Sequence, residues 1–120
     1  MAFLKLNRFH WHLIDDESFR LELSSFPELA ERTGLRGDGL LIPGVFGGGR
    51  GPKGCTYSAE DVKRINEHAE TLGISVMPEI EIPAHANALV KVMPNLRDYQ
   101  DESNEESVHG YRENTINPAK

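Results

Sequence analysis

The segment SAEDVKRINEHAETLGISVMPEIEI, from Ser58 to Ile82, constrains the fold more than any other part of this chain. Ser58 can cap a helix and Asp61 stands three residues on. Val62, Ile65, Ala69 and Leu72 then recur at helical spacing until Gly73 closes the run. Immediately afterwards the period changes to two: Ile74, Val76, Ile80 and Ile82 share one parity, and Ser75, Met77, Glu79 and Glu81 share the other. An earlier period-2 stretch puts Phe9, Trp11 and Leu13 on one face and Arg8, His10 and His12 on the opposite one. Strand, helix and strand in this order predict a βαβ unit with parallel strands.

Between the first strand and the helix lies RGDGLLIPGVFGGGRGPKG, whose density of Gly and Pro predicts an extended loop. Gly49, Gly51 and Gly54 fit G-x-G-x-x-G, but Pro52 sits inside the pattern and no strand-to-helix turn surrounds it, so a dinucleotide site is not predicted. At the front, MAFLKLN reads as the last turn of an amphipathic helix ending near Asn7. After an apolar run from Ala84 to Met93 the chain turns acidic and loop-like, and Asn117 with Pro118 then offers the cap and first position of another helix. Residues 1–120 therefore read as one partial domain, with both ends cutting through a larger α/β fold.

Composition removes several function classes. The 38% hydrophobic and 27% charged residues are those of a globular domain, and no apolar run nears the ~20 residues that span a bilayer. A formal net charge of -6 repels a phosphate backbone or an anionic lipid surface, so neither nucleic acid nor membrane is expected as a partner. Cys55 is the sole cysteine, which excludes an internal disulfide, and no secretory leader is read at the start. Neither observation decides the compartment.

The chemistry-bearing residues gather at strand ends. His10 and His12 lie on one strand face with Asp15 and Asp16 just beyond, an arrangement that could offer two imidazoles and a carboxylate to a metal ion. A lone H-x-H lacks a full zinc signature, and strand histidines more often hydrogen-bond to neighbours. Strand geometry is expected to keep these imidazoles apart from the aspartates at the strand's end. Glu79 and Glu81 point the same way at the end of the later strand, followed by His85; buried carboxylates there need polar partners or line a site. In a parallel barrel this is the face that carries active sites. His68, Cys55 and His109 show no convergent partners in the sequence and are read as structural.

MAFLKLNRFHWHLIDDESFRLEL, FPEL, TYSAEDVKRINEHAETLGISVMPEIEIPAHA and NTINPA, in collinear order across almost the whole chain, resemble the β-N-acetylhexosaminidases of glycoside hydrolase family 20. The resemblance implies a (β/α)8 TIM barrel, of which this chain supplies roughly units two and three with the long loop after the second barrel strand. It also implies an exo-acting hydrolase of terminal β-linked N-acetylhexosamine on glycans or chitooligosaccharides. In that family the substrate's own acetamido oxygen attacks the anomeric carbon, while a glutamic acid protonates the leaving oxygen and a preceding aspartate orients the acetamido group. The Gly-Gly-Asp-Glu motif that carries this pair does not occur here, so the chain alone is expected to be inactive.

Asp15 and His85 match the family's Asp-His relay, which positions and tunes that acid; His10, His12, Asp16, Glu79 and Glu81 are candidates for substrate binding or for lining the barrel. No metal or cofactor is implied. Pro83-Ala84-His85 stands where the family usually has Pro-Gly-His, and Glu81 where it usually has aspartate; a glycine needed for positive φ could not become Ala84 without strain. Two other readings stay open. One is a metal-dependent hydrolase using His10, His12, Asp15 and His85. The other is a non-catalytic module that self-associates through uncovered strand edges.

Overall fold

A computed structural model of the chain describes residues 1–43, 51–52, 54–101 and 110–119. The alternation after Arg8 becomes strand β1, Arg8–Asp15, and the later one becomes β3, Ser75–Ile80. They pair in parallel from Arg8↔Ser75 through His12↔Glu79, so residues of one parity share a face across both strands. The predicted helix is α2, Ala59–Thr71, opened by a reciprocal capping box in which Ser58 Oγ accepts from the Asp61 N–H at 3.1 Å and the Ser58 N–H donates to Asp61 at 3.1 Å. Gly73 leaves the helix at φ 65, a conformation that suits glycine. The βαβ expectation therefore stands as to order and parallel pairing.

A second strand and two helices escaped the sequence reading. Strand β2, Ser18–Phe19, pairs antiparallel with β1 through Ile14↔Phe19 and Asp15↔Ser18, giving a three-stranded sheet in the order β2-β1-β3. The polar segment after it folds into helix α1, Pro27–Thr33, with Pro27 in its first turn. Within the apolar run lies helix α3, Asn87–Val92. The front of the chain is a single 3-10 turn, Ala2–Leu4, ended by Lys5 in the left-handed region. At the other end Asn117 Oδ1 accepts from the Ala119 N–H at 2.9 Å, as a capping residue does.

The apolar face of β1 builds the core. Trp11, Leu13, Ile14, Phe19 and Leu29 are buried together, and Val62 and Ile65 of α2 pack against them with Val76 of β3. Burying each large side chain contributes about 1.5–3 kcal/mol. Trp11 stacks on Phe9 with centroids 5.8 Å apart and meets the edge of Tyr57 at 4.9 Å. Thr33, fully buried on α1, clamps β2: its Oγ1 accepts from the Phe19 N–H at 3.0 Å and donates to the Leu29 carbonyl at 2.6 Å. The core thus lies on one side of the sheet. The other face, with His10, His12 and Glu79, stays open.

Candidate active site

A bulge decides where Asp15 points. The β1–β3 register slips between His12 and Ile14, and Leu13 and Ile14 are both buried. In a regular strand residues three apart lie on opposite faces; one extra residue restores Asp15 to the face of His12. His12 Nε2 accordingly lies 3.5 Å from Asp15 Oδ2. The expectation that strand geometry separates these imidazoles from the aspartates is therefore corrected for His12 and Asp15.

From the far end of β3 the chain runs through Glu81 and Pro83 to His85, whose φ of 54 places it in the left-handed region. Ala84 is not among the positive-φ residues, so the alanine at that position carries no left-handed strain. Two backbone hydrogen bonds hold this loop: the Ile116 N–H donates to the Pro83 carbonyl at 2.9 Å, and the Ala86 N–H to the Asn114 carbonyl at 2.8 Å. His85 Nδ1 then stands 3.2 Å from Asp15 Oδ1 and 3.5 Å from Asp16 Oδ2. A carboxylate at that distance favours the proton on Nδ1 and leaves Nε2 as the reactive nitrogen. The Asp15 and His85 side chains keep 25% and 36% of their surface exposed, so a further group can reach them.

Asp16 differs from the other candidates. A candidate by sequence for lining the barrel or binding substrate, it is 0% exposed and its carboxylate is engaged inward. It accepts from the Asn87 N–H at 3.1 Å and from Asn114 Nδ2 at 2.9 and 3.0 Å. Asn87 and Asn114 were missed by the sequence reading, since they lie 71 and 98 residues from Asp16. Glu17, also buried, is paired with Arg36. Tyr111 donates to the Pro43 carbonyl at 2.9 Å, and burial, reinforced by the charges of Glu17 and Asp16, pushes its phenol up to about 12.

On the open face His10 contacts Glu79, and His12 lies 3.9 Å from Glu79 and 4.0 Å from Glu81. A hydrogen bond between the two carboxyl groups separates their titrations: Glu79 is held below the usual glutamate range, and Glu81 is pushed above it by that bond, by burial and by the charge of Glu79. Among the described residues two sets bring three ligand atoms within 4.8 Å, His12 with Glu79 and Glu81, and Asp15 with Asp16 and His85. Of the set read from the sequence for a metal, His10, His12, Asp15 and His85, Asp15 and His85 fall together in one of these groups, His12 falls in the other and His10 in neither. His68 and Cys55 are exposed. His109 and Gly49 lie outside the described residues.

Comparison with known proteins places this geometry in a family. The model of glycosyl hydrolase family 20, catalytic domain, matches residues 1–120. A β-hexosaminidase of Vibrio furnissii is 36% identical over 120 residues, covering 99% of this chain and 20% of the relative. The β-hexosaminidase subunit alpha of Bos taurus is 36% identical over 96 residues, 80% of this chain and 15% of its own length. A crystal structure of a family 20 exo-β-N-acetylglucosaminidase from Vibrio harveyi, in complex with N-acetylglucosamine, superposes with a TM-score of 0.87 at 38% identity, over 98% of this chain and 19% of that one. The chain thus spans about a fifth or less of the relatives it matches. It belongs to glycosyl hydrolase family 20, as part of the catalytic domain.

Proposed function

We propose that the protein carrying this chain is a β-N-acetylhexosaminidase, which removes terminal non-reducing β-linked N-acetylhexosamine from glycans or chitooligosaccharides with retention. The chain contributes roughly units two and three of its (β/α)8 barrel, with the long loop after the second barrel strand. The observation that carries this reading is the 3.2 Å approach of Asp15 Oδ1 to His85 Nδ1 at the C-terminal end of two parallel strands. Active sites of parallel barrels sit at that end.

The Asp15 carboxylate fixes the imidazole in one tautomer. The imidazole, through Nε2, orients a carboxylic acid from elsewhere in the barrel and sets its readiness to protonate the leaving oxygen. The substrate's acetamido group supplies the nucleophile, so the protein needs no second carboxylate for a covalent step. Asp15 and His85 are positioning residues in this scheme, and the acid lies outside the chain.

Comparing the 120-residue chain with the intact protein on a chromogenic N-acetyl-β-glucosaminide tests the reading. The intact protein should turn over and the chain alone should not; clear turnover by the chain alone would overturn the assignment of the acid. Alone, the chain should also self-associate, because Met77, Ile80 and Ile82 on and beyond β3 are 47%, 51% and 60% exposed. Light scattering that shows a stable monomer would count against this.

A further inference from the structure

We infer that Asp16 is a second positioning carboxylate for His85 and the anchor that holds the Asp15–His85 pair in register. The inference rests on the reading of that pair as a relay and extends it to a residue with no assigned role.

Asp16 acts through both its backbone and its side chain. Its N–H donates to Asp15 Oδ1 at 2.6 Å, which fixes the first carboxylate from one side. Its Oδ2 stands 3.5 Å from His85 Nδ1, so that nitrogen lies close to two carboxylates rather than one, within electrostatic reach of both and in a formed hydrogen bond with neither. Its carbonyl accepts from Asn87 Nδ2 at 2.9 Å, while its carboxylate takes the Asn87 N–H and Asn114 Nδ2. A single residue therefore ties together the end of β1, the start of α3 two residues beyond His85, and the Asn114 segment.

The chemistry favours a positioning role over plain packing. A carboxylate that is 0% exposed is costly unless donors surround it, and each of the side-chain contacts named here is an N–H donor. The Asn87 and Asn114 donors hold the Asp16 carboxylate as an acceptor, so across 3.5 Å its charge favours a proton on His85 Nδ1 and it offers no proton to that nitrogen. It thereby disfavours the tautomer with its proton on Nε2, the nitrogen the relay needs as an acceptor. An isosteric Asp16→Asn exchange keeps the size but presents an amide N–H either to His85 Nδ1 or to Asn114 Nδ2, donor against donor.

The test uses the intact protein labelled with 15N-histidine, in wild-type, Asp16→Asn and Asp15→Asn forms. His85 should carry its proton on Nδ1 in the wild type. In Asp16→Asn the Nε2–H tautomer should gain population, and kcat on an N-acetyl-β-glucosaminide should fall about ten- to a hundredfold with KM nearly unchanged. An unchanged tautomer and kcat in Asp16→Asn, with kcat lost in Asp15→Asn, would overturn the inference and leave the relay standing. No loss in either variant would remove the relay itself. If Asp16→Asn does not fold, Asn114→Ala decides, since it withdraws amide donors from Asp16 and leaves every acid in place. A shifted His85 tautomer with lower kcat supports the anchor, and wild-type behaviour overturns it.

Discussion

Replacing Thr33 by valine separates a hydrogen-bond contribution from a packing one, because the two side chains branch alike at Cβ and differ little in size. Thr33 is 0% exposed, and its Oγ1 is the acceptor for the Phe19 N–H at 3.0 Å. Valine preserves the shape and strands that buried donor, at a cost of about 1–3 kcal/mol. Serine keeps the hydroxyl, accepting from Phe19 and donating to Leu29, and removes only a methyl group, worth about 1 kcal/mol. The more apolar substitution should therefore be the more damaging at a fully buried site. The damage should also be local: Phe19 closes the two-residue strand that pairs with Ile14 and Asp15, so the turn bearing Asp15, Asp16 and Glu17 opens first. Amide hydrogen exchange reads this directly. At about 1.4 kcal/mol per decade, the Phe19 N–H should exchange roughly 5- to 150-fold faster in Thr33→Val, and less than about tenfold faster in Thr33→Ser. Phe19 exchange in the valine variant at the wild-type rate, or slower than in the serine variant, would refute the clamp.

Three further outcomes follow from the same geometry. Because Glu81 is pushed above the ordinary glutamate value of 4.5, the stability it contributes is full below that value and is lost as pH rises through its raised pKa; Glu79, held down, contributes above 4.5 and loses this as pH falls through its lowered pKa. Glu81→Gln mimics the protonated partner, so by denaturation it should be more stable than wild type at pH 7, with the gap closing toward pH 4.5; a gap that widens on acidification would contradict the shared proton. Ser58→Ala should cost about 1 kcal/mol in chemical denaturation by removing the cap of α2. It should also return Asp61, held below its ordinary value first by the Ser58 hydroxyl, toward that value in an NMR titration. The difference in absorbance near 295 nm between wild type and Tyr111→Phe should show the Tyr111 phenol titrating near pH 12; a difference step near pH 10 would place Tyr111 in solvent.

Legibility in the sequence followed the range of the interactions. Helix α2 was readable because its signals are local: cap, box partner, apolar stripe and closing glycine fall within one stretch from Ser58 to Gly73. The parallel pair β1–β3 was readable from alternation alone. Strand β2 has two residues, too few for a period, and α1 starts at Pro27 after Phe26, an N-cap whose side chain makes no capping hydrogen bond, so neither announced itself. The bulge after His12 left no trace in composition, yet it brings Asp15 to the face of His12. Asp15 and His85 were named through resemblance to a family, and the fold supplies the distance between them. The burial of Asp16 was illegible because its partners arrive from Asn87 and Asn114, far along the chain.

If Asp15 and His85 serve an acid that protonates the leaving oxygen, the damage done by losing His85 must depend on how much the leaving group needs that proton. His85→Ala in the intact protein should be measured on chitobiose, whose leaving sugar needs a proton, and on a dinitrophenyl N-acetyl-β-glucosaminide, whose leaving group does not. The loss in kcat/KM should be about a hundredfold or more on chitobiose and less than about tenfold on the activated glycoside. Equal losses on both substrates would contradict that role.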